Sequence, residues 1–391
     1  MTPEPGFCHT FCKLKNAPPT VKANPTAKGV FNSFPWVAMI CWALPAGGVF
    51  AQNTASTGPV GMISYPAAAE SDTLVSLPLH RVHSFRGGIA SASGNVVTLA
   101  QASFAADAFN DRFYLLLESG TGEGRWFPIA DTAAASVTID PGTESTAGIF
   151  TAGTVVRIIP FWTIDSVFPN GRGVNASGNL LPVSRILLPD GAAAGIRLAP
   201  ASSFFYYSGS DHGGEGWRKF GASPNVKFDD QLLRPGSSFM VRHDSGPGTI
   251  FENLGVVPSA AFSTRLGTIA PNLPQDHSLG LGIPVSVSLA DSGLFQSGAF
   301  AGSAVPDVPA DELHVFDFSI PAKNRVPSAV YYYYTGTQNG GPGWRLKGDV
   351  GTPRDLAMVF EPARGFVIRK AATALPSPTR WTVRPSYLNT P

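Results

Sequence analysis

A glycine-rich turn running into Trp-Arg occurs twice in the chain, and the spacing between the two occurrences restricts the possible folds more than any other feature. Gly209, Gly213, Gly214, Gly216, Trp217 and Arg218 are matched by Gly336, Gly340, Gly341, Gly343, Trp344 and Arg345, each 127 positions later. The same offset carries Pro235, Phe239 and Arg242 onto Pro362, Phe366 and Arg369. A stretch repeated in this way reads as an internal duplication, so one small unit is expected twice.

The local pattern says what that unit is. Several glycines in one loop permit the positive φ values of tight hairpins, and Asn339-Gly340 is the dipeptide such turns favour. After the turn, Phe239 and Val241 alternate with Met240 and Arg242, and Phe366 and Ile368 alternate with Val367 and Arg369. That is the period of a strand with one face in a core. The opening strands differ: Phe204, Phe205, Tyr206 and Tyr207, and again Tyr331, Tyr332, Tyr333 and Tyr334, are aromatic on both faces. A second packed layer over them is expected.

Composition extends this reading to the whole chain. With 391 residues, 42 glycines, 35 prolines and only 14% charged residues, the sequence predicts two or three domains of short strands joined by tight turns. Residues 118–126, ending in Gly124-Arg125-Trp126, look like a worn third copy of the turn, followed by strand patterns at 137–139 and 153–158. The expected fold is all-β, with three small SH3-like or barrel-like modules in tandem, copies two and three being the duplication. The boundaries predicted are a signal peptide at 1–51, a leader segment at 52–73, module one at 74–165, module two at 166–270, a crossover segment at 271–310 and module three at 311–391.

A short apolar run at 37–44 follows scattered lysines and precedes Val49-Phe50-Ala51, which predicts cleavage after Ala51 and export to the periplasm, the cell surface or the medium. Cys8, Cys12 and Cys41 all fall before that point. The mature chain is thus expected to have no thiol, no disulfide and no membrane span. A formal net charge of +1 provides no field to gather nucleic acid.

No sequence motif for catalysis, phosphate binding or a cofactor is found, and no cofactor or metal is implied. His80 and His83 lie on a strand pattern that points them to opposite faces. Asp211-His212 beside Glu215 has no counterpart in the second turn, where Gln338, Asn339 and Pro342 stand. Asp229-Asp230 lacks a third carboxylate at calcium-loop spacing. The candidate binding residues are therefore Trp217, Arg218, Trp344 and Arg345. Exposed, they would stack on sugar rings and bond hydroxyls; buried, they would seal a small barrel, with each arginine outside it against a tyrosine ring.

Residues 116–158, through Glu118-Ser119-Gly120, Ile139-Asp140-Pro141 and the strand from Gly153 to Ile158, resemble a short β module of phage tail-fibre and other bacterial appendage proteins. From Val75 onward the succession Phe161-Trp162-Thr163-Ile164, Tyr206-Tyr207-Ser208-Gly209, Gln275-Asp276, Ser292-Gly293-Leu294 and Tyr333-Tyr334 is similar to an uncharacterised family of exported bacterial β-repeat proteins. That resemblance implies secretion and repeat architecture and no activity. Three functions follow as expectations: a noncatalytic structural or adhesive protein of the envelope or matrix, associating with itself or an envelope partner; a glycan-binding protein using the Trp/Tyr platforms; and a secreted hydrolase whose carboxylates spacing alone does not pair.

Overall fold

The computed structural model describes residues 58–388. The expected signal peptide, residues 52–57 and the three cysteines lie outside the described residues. Strands β1 (Val60–Ala67) and β2 (Asp72–Ser76) come first. A closed barrel follows, made of β3 (Phe85–Ser93), β4 (Val96–Leu99), β5 (Phe113–Leu117), β6 (Trp126–Ala133), β7 (Ser136–Ile139) and β8 (Val155–Pro160) in the order β3-β4-β7-β6-β5-β8. Then come β9 (Trp162–Thr163), the one-turn helix α1 (Ile164–Val167), β10 (Ser184–Pro189), β11 (Pro200–Tyr207), β12 (Gly216–Lys219), β13 (Leu232–Leu233), β14 (Ser238–His243) and β15 (Thr249–Val256). The last strands are β16 (Phe262–Leu266), β17 (Gln275–Gly280), β18 (Glu312–Val315), β19 (Ala329–Tyr334), β20 (Gly343–Leu346), β21 (Gly365–Lys370) and β22 (Thr379–Val383).

The barrel follows from alternation. Leu115, Leu117, Phe127, Ile129, Val137, Ile139, Val156 and Ile158 point inward and are buried. Register shifts between Ile89 and Ser91 and between Ile129 and Asp131 bend β3 and β6, which lets a short sheet close. Outward-facing Tyr114 and Leu116 are also buried, against Ile159 and Phe161, so one side of the barrel serves a second core.

The two Gly/Trp stretches lie in two five-stranded sheets of the same strand order, β12-β11-β10-β14-β2 and β20-β19-β18-β21-β17. Tyr206 sits opposite Trp217 in one and Tyr333 opposite Trp344 in the other. Arg242 holds Asp72 with two bonds of 2.6 Å, and Arg369 holds Asp276 with bonds of 2.8 and 3.0 Å. The expected facing holds: Phe239 and Val241, and Phe366 and Ile368, enter the two cores. All four of Phe204, Phe205, Tyr206 and Tyr207 are buried, as a second layer requires.

Two features were hidden by spacing. Strand β2, which straddles the expected boundary between leader and first module, is the edge strand of the first sheet, so the barrel interrupts the sequence of that sheet. The indole of Trp162 donates to the Leu79 carbonyl at 2.8 Å, bringing the two ends of the interruption together. The segment expected to be a crossover also follows the path that residues 161–183 take beside the first sheet. Ser177 N–H donates to Tyr206 O at 2.9 Å and Ser208 N–H to Ser177 O at 3.0 Å; Ser303 N–H to Tyr333 O at 2.9 Å and Thr335 N–H to Ser303 O at 2.8 Å repeat this. Within that segment, Val285-Ser286-Val287-Ser288-Leu289 alternates as a strand would, yet it makes only a single bridge, Val287 to Phe360. Its alternation has another cause: Val287 and Leu289 are core residues, while the Ser288 hydroxyl accepts from Asp291 N–H at 3.1 Å, as Thr163 does from Ser166 N–H at 3.1 Å.

The sheets meet at their β2 and β17 edges through a matched pair of bonds, Ser76 N–H to Ala363 O and Gly280 N–H to Gly236 O, both 3.0 Å. Approach is so close that a Cβ at position 280 would lie 1.8 Å from the Ser76 Cβ. Glycine is required there by space.

Candidate functional site

The four residues singled out by sequence are buried. Trp217 and Trp344 are 0% exposed and Arg218 and Arg345 are 1% exposed. Each indole stands over its sheet with an aromatic neighbour, Tyr206 at 5.7 Å from Trp217 and Tyr333 at 5.6 Å from Trp344. No ring face is presented to a sugar, which corrects the platform reading. The arginines do sit over tyrosine rings, Arg218 over Tyr207 at 5.6 Å and Arg345 over Tyr334 at 6.0 Å, but inside the protein, which corrects the outward placement.

The glycine loop folds around the guanidinium. His212 and Gly213 have φ of 53° and 78°, Asn339 and Gly340 have 52° and 83°, and Gly214 N–H to Asp211 O and Gly341 N–H to Gln338 O close the two turns at 2.9 Å each. His212 therefore fills the left-handed turn position that Asn339 fills in the second copy. Its carbonyl and that of Gly214 accept from Arg218 Nη2 at 3.0 and 2.6 Å; Asn339 O and Gly341 O accept from Arg345 Nη2 at 3.1 and 2.8 Å. A buried charge held by loop carbonyls acts as a clamp, more complete around Arg218, whose Nε also donates to Pro224 O, than around Arg345, whose Nε has no partner. Asp229 and Asp355 complete it, accepting from the backbone N–H of Trp217 at 2.8 Å and Trp344 at 3.2 Å. Asp230 turns away to pair with Arg112 at 2.7 Å, so the adjacent acids do not converge.

The other groups with chemical potential are also engaged. Ser184 and His243, directly opposite each other on β10 and β14, are 2.6 Å apart, and His243 Nε2 reaches Thr249 Oγ1 at 2.9 Å. The threonine hydroxyl donates to Gly173 O at 2.6 Å, so Nε2 carries the proton and the Ser184 hydroxyl donates to Nδ1. The serine and histidine are 1% and 0% exposed. The same place in the second sheet holds the Asp311–Lys370 pair. His80 is buried, and burial, with Arg157 adding to it and Glu118 opposing, pushes its pKa down to about 4. Burial likewise lowers His243, with Asp244 opposing. Among the described residues no cluster of His, Cys, Asp and Glu could hold a metal ion.

What remains open to solvent is a face. β1 and β15 form a two-stranded ribbon whose inward residues Tyr65 and Phe251 stack at 4.4 Å. Its outward residues Val60, Met62, Ile250 and Leu254 are 59%, 61%, 66% and 64% exposed, with Met62 directly opposite Leu254. The ribbon beside the second sheet, β16 with β22, turns Ser263, Arg265 and Arg380 outward and is covered by the barrel: Ser263 N–H donates to Gly124 O at 3.1 Å, Arg265 to Thr143 at 2.8 Å, and Arg380 pairs with Glu144.

No family model, curated protein or solved structure matches the chain.

Sequence reasoning missed three things here. Asp229 and Asp355 are 126 positions apart, one short of the repeat, so the offset that finds the tryptophans passes over them; an acid shortly after each Trp-Arg was the available signal. The Ser184–His243 pair joins strands 59 positions apart with no motif. The outward apolar set of β1 and β15 was invisible because nothing in either segment says which face is covered. Among the described residues no helix is long and apolar enough to cross a membrane.

Proposed function

We propose that this is a noncatalytic, exported structural or adhesive β-repeat protein of a bacterial envelope or matrix, built on a duplicated sheet unit and working by association of its own copies. The observation that supports this is the outward face of the β1/β15 ribbon. Eight-residue strands run about 27 Å, and along that length Glu252 is the one charged side chain among the outward positions of the pair. Exposed apolar side chains lie on both sides of the Ser64–Glu252 pair, Met62 and Leu254 on one side and Ile250 on the other, and such a concentration on one ribbon face suits an association surface. The free edge of β1 has no strand partner among the described residues, which adds backbone donors and acceptors to the same place.

A second copy is the fitting occupant. The corresponding ribbon of the second sheet is already covered by the chain's own barrel through polar contacts, whereas this one is mostly apolar and uncovered, and a two-fold pairing would bury the same apolar residues of both copies. The test is light scattering on size-exclusion fractions of the purified protein over a range of concentrations. A dimer or larger assembly is expected, converting to monomer in Met62→Lys with Leu254→Lys while the melting temperature is retained. A wild-type protein that stays monomeric at high concentration would overturn the reading.

A further inference from the structure

On the far side of the first sheet from its core lies a groove of about 400 Å³. Leu187 and Met240 form its floor, Val367 of the second sheet one wall, and Phe316 and Phe318 the other. The second wall exists because the chain leaves the sheet after Val315, although apolar and polar residues go on alternating to Ile320, and crosses to the neighbouring sheet, where Asp72 N–H donates to Ala322 O at 2.9 Å. The wall is held in place by two cation–π contacts, the guanidinium groups of Arg325 and Arg364 lying 5.3 and 5.5 Å from the Phe318 ring.

The polar end of the groove is one-sided. Asp72 accepts from Arg242 Nε and Nη2 at 2.6 Å each and from Asn324 N–H at 2.7 Å, and Asn324 Oδ1 accepts from Arg242 Nη2 at 2.7 Å. Both carboxylate oxygens and the amide oxygen are thereby occupied. Donors are left over: Arg325 Nε is buried with no partner, and Arg242 Nη1 and Asn324 Nδ2 have none among the described residues. The charged residues on the lining are Arg242, Arg325 and Asp72, a net charge of +1. A buried donor without an acceptor is costly unless a ligand or water supplies one.

We propose that this groove binds an amphipathic monocarboxylate: an aliphatic tail along Leu187, Met240 and Val367, and a carboxylate at the Arg242–Asn324–Arg325 end. The headgroup matches in sign and in hydrogen-bond type, since a carboxylate only accepts and the polar atoms left without a partner at this end are donors. The tail matches because the remaining lining is aliphatic and aromatic apart from Ser278, whose hydroxyl is bonded to that of Ser238 at 2.7 Å, and the volume falls within the range of about 300–1,000 Å³ usual for ligand pockets. The inference is independent of self-association, which uses the opposite ribbon residues Met62 and Leu254.

The test is isothermal titration of the full chain with decanoate, below its micelle concentration, alongside decanol and acetate. Decanoate should bind one to one with a Kd of about 100 µM or tighter, and decanol and acetate at least about tenfold more weakly. Met240→Trp, which fills the floor, should abolish binding. Leu198→Glu, at a rim position 44% exposed, should weaken it by placing a like charge at the entrance without disturbing the core. Absence of decanoate binding, equal binding of decanol, or unchanged affinity in a folded Leu198→Glu variant would each overturn the proposal.

Discussion

At the scale of single residues, the repeated turn is a clamp closed on a buried guanidinium. Replacing Arg218 with Met keeps much of the volume but strands the carbonyls of His212, Gly214 and Pro224 that it serves. A loss of about 3 kcal/mol is expected in urea denaturation, because hydrogen bonds from charged donors contribute about 1.5–3 kcal/mol and orphaned buried acceptors add to that. The tryptophans should behave differently. The indole nitrogens of Trp217 and Trp344 are buried without an acceptor, so Trp344→Phe sacrifices shape and no hydrogen bond. It should cost clearly less than Trp344→Ala, for which about 3–5 kcal/mol is expected; equal losses would show that the indole N–H is in fact bonded. Histidine gives the pH dependence. His80, His243 and His277 all have pKa values lowered chiefly by burial. The unfolded chain therefore takes up protons first as pH falls, so stability is full above about pH 6.5 and declines below it. For His80, held down to about 4, that decline amounts to about 3 kcal/mol between those limits. His80→Phe should flatten the urea midpoint between pH 7 and pH 4.5 by that share. The glycines and Trp-Arg pairs were legible in the sequence because they recur in register. Whether the rings face in or out was not, since a platform and a core tryptophan leave the same spacing.

At the scale of elements, the junction between the two sheets depends on missing methyl groups at Gly280 and Gly365, and the approach is tightest at Gly280. Gly280→Ala would drive its Cβ into Ser76, while the Ser76 Cα is 3.3 Å away, so Ser76→Gly would relieve the clash. The single substitution is expected to cost about 1–3 kcal/mol through overpacking. Together with Ser76→Gly it should cost less than the sum of the two separate changes, a coupling measurable in a double-mutant cycle. Additive losses would mean that the sheets separate rather than press together. Sequence alternation placed β14 and β21 and their facing correctly, because Phe239, Val241, Phe366 and Ile368 obey a local period. It failed for β2 and for 285–289, where the deciding partners are remote: Arg242 for Asp72, and Phe360 for Val287. Local periodicity shows that a segment is amphipathic and is silent on which sheet receives it.

At the scale of the whole molecule, the described residues form two sheet units with a barrel set into the first. The cores of the two sheets are contiguous sets of buried side chains drawn from outside residues 80–160, with Trp126 the one barrel side chain packed against them. The chain enters and leaves the barrel at adjacent points, where Trp162 bonds the Leu79 carbonyl and Arg81 bonds Phe161 O at 3.1 Å. A chain in which residues 80–160 are replaced by a short Gly/Ser linker is therefore expected to fold, with strand content retained by circular dichroism and a single cooperative melt. The melting temperature should fall by about 5–10 °C, because Phe161 and Leu232 lose the cover of Tyr114 and Leu116, and Arg380 loses Glu144. Association should survive the excision, since Met62 and Leu254 belong to the ribbon of the first sheet. If the excised chain fails to fold, the barrel is a structural part of the sheet unit rather than an insertion. If it folds but no longer associates, the surface that joins copies lies on the barrel and not on β1 and β15.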